Sequence, residues 1–227
     1  DVGNKGMVAG DLTGDGVPDV ALVDNYRDKL FILPFDRGTG AFSNLAAVDI
    51  GQSPQMSVTS DIDLDGDLDL IIGCTNSASI QVYTNDGAGG FVFDHEVTGP
   101  KNNKHVVGDV NGDGYDDVIA TSVGGEQLVY VLINDGQGTL SIDSTLPLHE
   151  DTNGTGLVLV DHNRDGQLDF VVVEHDVDRL RLFENAGGTF THAATLTPGD
   201  GPTSVTAGDL DGDGDSDLLV ALEYDSS

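Results

Sequence analysis

The chain has 227 residues and carries 40 acidic against 9 basic side chains, for a formal net charge of −31. Such an excess of negative charge repels phosphate backbones and anionic membrane surfaces, so we expect no nucleic-acid partner. No apolar run reaches the length of a membrane-spanning helix, and we expect no direct insertion into a membrane.

One nine-residue acidic pattern occurs five times along the chain. The copies read DLTGDGVPD, DIDLDGDLD, DVNGDGYDD, DHNRDGQLD and DLDGDGDSD, and they begin at Asp11, Asp61, Asp109, Asp161 and Asp209. Successive starts are 50, 48, 52 and 48 residues apart, which is typical of one supersecondary unit per repeat. We place the repeats of this single domain at about 1–52, 53–101, 102–152, 153–200 and 201–227.

Each of these five acidic loops has the oxygen donors that Ca²⁺ prefers, namely carboxylate, amide and carbonyl oxygens. Positions 1, 3 and 5 offer side-chain oxygens, position 7 a backbone carbonyl, and position 9 a closing carboxylate. Position 6 is always glycine, because the backbone must turn sharply there. We predict about five calcium ions, one per repeat. The predicted ligands are Asp11, Thr13, Asp15, Val17 and Asp19; Asp61, Asp63, Asp65, Asp67 and Asp69; Asp109, Asn111, Asp113, Tyr115 and Asp117; Asp161, Asn163, Asp165, Gln167 and Asp169; and Asp209, Asp211, Asp213, Asp215 and Asp217.

The helix-loop-helix calcium hand starts with the same acidic pattern, but it requires a glutamate at position 12. Position 12 is apolar in all five copies: Leu22, Ile72, Ala120, Val172 and Val220. Each loop is followed by an apolar run that predicts a buried strand: VALV at 20–23, LIIG at 70–73, VIAT at 118–121, FVVV at 170–173 and LLVA at 218–221. The acidic loop therefore joins two strands.

A second apolar segment and a glycine-rich turn complete each of the first four repeats. The segments are KLFILPF at 29–35, SIQVYT at 79–84, LVYVLI at 128–133 and RLRLFE at 179–184; the turns are DRGTGAF at 36–42, NDGAGGF at 85–91, NDGQGTL at 134–140 and NAGGTF at 185–190. Such turns predict hairpins, and a more polar fourth strand would then lead to the next repeat. The fold class is all-β, and four-stranded units of this length are typical of β-propeller blades.

The acidic loop and the downstream turn together resemble the FG-GAP/VCBS repeat, over essentially the whole chain. The resemblance implies a calcium-binding β-propeller like those of integrin α-subunits, fungal lectins and secreted bacterial proteins. Two positions depart from the family pattern, since Thr13 replaces an acidic or amide ligand and Arg164 puts a cation inside the fourth loop. We expect these two sites to be the weakest.

The fifth repeat has only its first two predicted strands. We interpret the chain as part of a seven-bladed propeller, which needs roughly 350 residues at this period. The alternative is a five-bladed ring with an unfinished blade. Further blades or domains of the same longer chain are therefore expected partners.

Two functions of different classes fit this scaffold. The first is an extracellular recognition or adhesion module for glycan or protein ligands, and the second is a structural spacer of a larger secreted enzyme, adhesin or filament. The extracellular assignment rests on the calcium loops, because sites of millimolar affinity stay empty in the cytosol. The chain has no Trp and five Tyr, which weakens a purely sugar-binding function, since lectins stack sugars on aromatic faces.

Candidate residues outside the loops are few. Tyr26 and Tyr115 are predicted to be exposed, Tyr83 and Tyr130 to lie in the core, and Tyr224 is the remaining tyrosine. The six histidines show no metal-site or catalytic spacing, so we predict no catalytic residues and no enzyme. Cys74 is predicted to be buried and unreactive, and Asn153 begins a glycosylation sequon, Asn-Gly-Thr, whose use depends on the source.

Overall fold

A computed structural model describes residues 4–43, 47–122, 127–150 and 152–223, without the side chains of residues 4, 5, 102 and 103. These residues form twenty strands and one short 3-10 helix, His175–Val177. Strands are organised into antiparallel sheets that follow the sequence repeat, as the period predicts. No helix among the described residues is long and apolar enough to cross a membrane.

The first repeat forms a four-stranded sheet and a small separate hairpin. The sheet strands are β1 (Asn4–Gly10), β2 (Asp19–Asp24), β3 (Lys29–Leu33) and β6 (Val48–Asp49), in that order; the hairpin consists of β4 (Phe35–Asp36) and β5 (Ala41–Phe42). The predicted segment 29–35 is thus interrupted at Pro34, which has no N–H group to donate to a strand ladder. The fourth strand, β6, is only two residues long.

The next three repeats each form a complete four-stranded sheet whose strands are in chain order. The second sheet has β7 (Pro54–Ser60), β8 (Asp69–Cys74), β9 (Ser79–Asn85) and β10 (Phe91–Thr98). The third has β11 (Asn102–Gly108), β12 (Asp117–Ser122), β13 (Leu128–Asn134) and β14 (Leu140–Pro147). The fourth has β15 (Gly154–Val160), β16 (Asp169–Glu174), β17 (Arg179–Ala186) and β18 (Thr189–Leu196).

The described part of the fifth repeat contains two paired strands, β19 (Pro202–Gly208) and β20 (Asp217–Leu222). The strand predicted at 218–221 is present, but its predicted burial is wrong: none of the four residues is buried, and Leu219 is 59% exposed. The equivalent strands β8, β12 and β16 are buried throughout, and each of them has a paired strand on both sides. Within the described residues β20 pairs with β19 alone, so the other edge of β20 is unpaired there.

The chain divides into two compact units, and each has its own apolar core. The first unit contains residues 1–103 and 134–141, and the second contains residues 104–133 and 142–227. The core of the first unit includes Leu12, Ile32, Leu70, Ile72 and Tyr83. One core of the second unit is centred on aromatic side chains, where Phe170 stacks on Phe183 with ring centroids 4.7 Å apart.

Candidate functional site: the acidic loops

Each acidic loop lies between the first and second strands of its sheet, as predicted. The first loop connects β1 to β2, and the corresponding loops connect β7 to β8, β11 to β12, β15 to β16 and β19 to β20. Position 9 is the first residue of the second strand in every copy, so the strand holds the closing carboxylate in place. The position-9 carboxylates are Asp19, Asp69, Asp117, Asp169 and Asp217.

The backbone of each loop is wrapped around its own carboxylates. The position-1 aspartate accepts a hydrogen bond from the N–H of the position-6 glycine in all five copies; for Asp11 and Gly16 the distance is 2.8 Å. The position-5 aspartate accepts one from the N–H of position 7, at 2.8–3.0 Å. These short-range bonds hold the side-chain oxygens of positions 1 and 5 on the inside of one tight turn.

The position-6 glycines all have left-handed backbone angles, with φ between 78° and 100°. Only glycine adopts such angles without a steric penalty, which explains why this residue occurs in every copy. Position 4 also has a positive φ, and there the sequence analysis missed the requirement. Glycine occupies position 4 in three loops, but Leu64 and Arg164 adopt φ values of 58° and 61°.

The position-9 carboxylates are buried in the first four loops, and Asp217 of the fifth loop is half-buried. Asp19, Asp69, Asp117 and Asp169 are fully buried, and each of the five accepts a hydrogen bond from the N–H of position 2 at 3.0–3.1 Å. In three copies the second oxygen accepts a backbone N–H from near the end of the third strand. The donors are Asn85 and Asn185 in the last two residues of their strands, and Phe35, two residues after β3. This carboxylate therefore ties the loop to the sheet.

The second loop shows most directly that a cation fits. One oxygen each of Asp61, Asp63 and Asp65 lie within 4.8 Å of one another, and Asp61 Oδ1 is buried without a hydrogen-bond partner among the described residues. An orphaned buried carboxylate oxygen is costly unless a cation or donor meets it. Asp209, Asp211 and Asp217 of the fifth loop form a second such group.

The electrostatics of the second loop also favour a bound cation. Burial raises the pKa of Asp69 to about 6, with the neighbouring Asp63 and Asp65 carboxylates adding to the shift. The pKa of Asp67 is also raised, first by burial and second by repulsion from the Asp65 and Asp61 carboxylates. A divalent cation would reverse this repulsion, because it favours the ionised form of every carboxylate around it.

The two departures that the sequence analysis singled out have different environments. The Thr13 hydroxyl donates a hydrogen bond of 2.9 Å to Asp19 Oδ2, so it supports the closing carboxylate of the first loop. The Arg164 guanidinium forms an ion pair with Asp215 at position 7 of the fifth loop. Both side chains of this pair are more than half exposed, so the pair itself contributes little to stability.

We expect Arg164→Gly to increase the calcium affinity of the fourth loop about fivefold. Removing one positive charge from the neighbourhood of a divalent ion lowers their repulsion by about 1 kcal/mol at low ionic strength. The measurement is a calcium titration that follows the Gly166 amide by NMR. Leu64→Gly is the matched control, since it relieves the same left-handed backbone without changing charge; an equal gain in that variant at its own loop would contradict the electrostatic explanation.

Three buried asparagines attach the first three loops to the repeat that follows each of them, whereas the sequence pattern places these asparagines in hairpin turns. Asn85 Nδ2 donates to the Leu12 carbonyl at 3.0 Å and to the Leu68 carbonyl at 3.1 Å. Leu12 belongs to the preceding loop, and Leu68 to the loop of the asparagine's own repeat. The other two asparagines make the same bond to position 2 of the preceding loop: Asn134 to Ile62 and Asn185 to Val110.

The remaining sequence-predicted residues lie as follows. Tyr83 and Tyr130 are buried and Tyr26 is 77% exposed, as predicted, whereas Tyr115 is half-buried. Cys74 is buried, and burial raises the pKa of its thiol to about 12, which agrees with an unreactive cysteine. Asn153 is described in the loop before β15, and Tyr224 lies outside the described residues.

Comparisons with known proteins agree with this repeat structure. A family model described as FG-GAP-like repeat matches three overlapping stretches, residues 61–120, 109–172 and 161–220. A solved structure of a Lactobacillus plantarum protein, a structural genomics target, is similar with a TM-score of 0.65 and 16% identity. The match covers 89% of this chain and 60% of that one, so this chain spans about three-fifths of that protein's length. No curated protein matches the chain.

The structural similarity, at 16% identity, shows the fold alone. The family matches together span residues 61–220, well over half of the chain, and they include the last four acidic loops. The chain belongs to the FG-GAP-like repeat family.

Proposed function

We propose that this chain is a calcium-stabilised β-propeller module that recognises glycan or protein ligands outside the cell. The observation that carries the calcium part is the second loop, where three carboxylates converge around the orphaned Asp61 Oδ1. The loops of the other four repeats share its turn, its position-6 glycine and its hydrogen-bond pattern. One ion per repeat, about five in total, is the stoichiometry that this arrangement supports.

The ions would act as structural elements that hold loops in place. The position-9 carboxylates of the first four loops are buried, and in the second loop the hydrogen bonds of Asp69 connect the loop and the start of the second strand to the end of the third strand. A cation bound there would neutralise charge at the point where three parts of a sheet meet. An extracellular location supplies the millimolar calcium that such sites require.

Ligand recognition would fall to exposed surfaces outside the loops, and we propose that the module has no catalytic activity of its own. Tyr26 is one exposed aromatic side chain, and Phe93 on β10 is another, at 48% exposure. Sheets held by short turns provide a rigid platform for such contacts. Further blades or domains of a longer chain, in a propeller of seven or of five blades, would complete the assembly.

A spacer function remains the second candidate, and the tyrosine positions favour it. Tyr83 and Tyr130 are buried in the described structure, and the sequence contains no Trp. The chain thus offers few of the flat aromatic faces on which sugars stack.

A glycan-array screen in millimolar calcium, with a chelated control, tests recognition against the spacer role. Calcium-dependent binding of one glycan class is the expected result. A blank array from demonstrably folded protein, together with no binding to extracellular matrix proteins, would favour the spacer function.

A further inference from the structure

An open cavity of about 490 Å³ lies in the second unit, away from the acidic loops. β16 starts in the fourth loop at Asp169 and ends at Glu174, and the cavity is at the Glu174 end. Its volume is within the range of small-molecule sites. The cavity is lined by the segment 147–150 and by Glu174, Arg179, Arg181, His192 and Thr195.

This cavity brings together two arginines in a protein that has few basic residues. The whole chain has only 9 lysines and arginines, and two of the arginines line this one site, together with two histidines and the acidic side chains of Glu150 and Glu174. Arg179 and Arg181 are two residues apart on β17, so their side chains lie on the same face of the strand. Arg181 lies close to Glu174, so Arg179 is the cation of this site that an anionic group could approach.

Glu174 is the most unusual group in the cavity, because it is fully buried and only half satisfied. Its Oε1 accepts a hydrogen bond of 2.8 Å from the His149 N–H and lies 3.7 Å from Arg181 Nη1. Its Oε2 is buried and has no hydrogen-bond partner among the described residues. A buried carboxylate oxygen in this state calls for a donor, such as a ligand hydroxyl.

The two arginines have different roles. Arg181 is held in place, since Nη1 donates to the Pro147 carbonyl at 2.8 Å and the guanidinium carbon lies 4.8 Å from the centre of the Phe183 ring. It also partly neutralises Glu174. The backbone of Arg179 pairs with Glu174 in the β16–β17 ladder, but its guanidinium makes no ion pair or hydrogen bond among the described residues and is available to a ligand.

We propose that this cavity binds a saccharide that carries a carboxylate, of the uronic acid type. The carboxylate would pair with Arg179, and a ring hydroxyl would donate to Glu174 Oε2. A guanidinium matches a carboxylate with two parallel N–H donors, which makes this contact directional as well as charged. This inference depends on the recognition role proposed above and names the ligand class for it.

An acidic sugar fits the site better than a neutral one or a simple acid. A neutral sugar would satisfy Glu174 but leave the Arg179 charge without a partner, and a simple acid would do the reverse. Repulsion from the net charge of −31 is screened beyond about 8 Å at physiological salt, so the local arginines decide the outcome inside the cavity.

The test is an NMR titration of the folded, calcium-loaded protein with glucuronate, glucose and acetate. Glucuronate is expected to shift the backbone amide resonances of Glu174, Arg179 and Arg181. It should bind at least tenfold more tightly than glucose or acetate. If none of the three shifts these amides at tens of millimolar ligand, the proposal is wrong. Equal binding of glucose and glucuronate would also overturn it.

Two variants separate the two contacts. Arg179→Gln should weaken the binding of glucuronate about tenfold, to the affinity of glucose. The control Lys29→Gln, which removes the same charge elsewhere, should leave glucuronate binding unchanged. Glu174→Gln should weaken both sugars, because its amide oxygen is needed by the His149 N–H and its NH₂ group would then replace the free acceptor. Unchanged binding in both cavity variants would refute the site. If the protein binds other glycans on an array but not glucuronate, the recognition function stands and the uronic acid site is wrong.

Discussion

Addition of excess EDTA is expected to lower the melting temperature of this protein by tens of degrees. A site with a dissociation constant a hundredfold below the free calcium concentration stabilises the native state by about 2.7 kcal/mol. For a chain of this size, each kcal/mol corresponds to about 2–4 °C. Loss of one ion would thus lower the melting temperature by about 5–10 °C, and several loops of the same construction would lose their ions together.

The physical cause is repulsion among carboxylates that the fold holds close together. In the second loop, oxygens of Asp61, Asp63 and Asp65 lie within 4.8 Å of one another, and burial already raises the pKa of Asp69 to about 6. Differential scanning calorimetry with and without EDTA measures the effect. An unchanged melting temperature in EDTA would contradict calcium stabilisation.

Asp65→Asn separates loss of calcium from loss of structure. The asparagine oxygen can still accept the Asp67 N–H, as Asp65 does at 3.0 Å, so the turn should be retained. With calcium present, the variant should melt about 5–10 °C below the parent, by the same per-ion estimate. In EDTA it should melt at the same temperature or higher, because it removes one repelling charge. Asp143→Asn, on the exposed edge of β14, is the control and should behave like the parent in both conditions.

The sequence predicts the loops and strands well because their signals are local. The nine-residue pattern contains its own turn glycine and carboxylates, and the following apolar run marks the second strand. In the structure each loop lies between the predicted strands, and the position-6 glycines have the predicted left-handed angles. Pro34 was the main local exception, where a proline inside an apolar segment ended the strand.

The parts that the sequence does not predict depend on neighbours that are distant in the chain. Asn85 and Leu12 are 73 residues apart, yet they form a buried hydrogen bond. The Arg179 and Glu174 cavity depends on strand pairing and on the segment 147–150. Nothing in the local composition distinguishes a turn asparagine from a buried one, although its occurrence at the same place in three repeats is a signal that could have been used.

Asn185→Asp is expected to destabilise the protein by about 3–5 kcal/mol. Asn185 is only 4% exposed, and its Nδ2 donates to the Val110 carbonyl at 2.7 Å and to the Leu168 carbonyl at 3.0 Å. Aspartate would replace this double donor with a carboxylate oxygen facing two carbonyl oxygens. Leaving buried acceptors unsatisfied costs about 1–3 kcal/mol each, and burying an unpaired charge adds to that cost.

Urea unfolding in saturating calcium measures the loss of stability. Gln137→Glu is the matched control, because it makes the same amide-to-carboxylate change at an exposed turn residue and should alter stability by less than about 0.5 kcal/mol. Similar losses in the two variants would mean that added negative charge, and not the buried hydrogen bonds, is responsible.

Asn185→Asp should also affect the third acidic loop, so it tests whether one repeat stabilises the loop of the preceding repeat. Val110 accepts from Asn185 through its carbonyl and donates through its N–H to Asp117 Oδ2 at 3.0 Å. Releasing Val110 would therefore loosen the closing carboxylate of that loop. We expect Asn185→Asp to weaken calcium binding at the third loop, followed by the Gly114 amide, while the second loop, followed by Gly66, keeps its affinity. Equal weakening at both loops would indicate general loosening of the protein instead of a link through Val110.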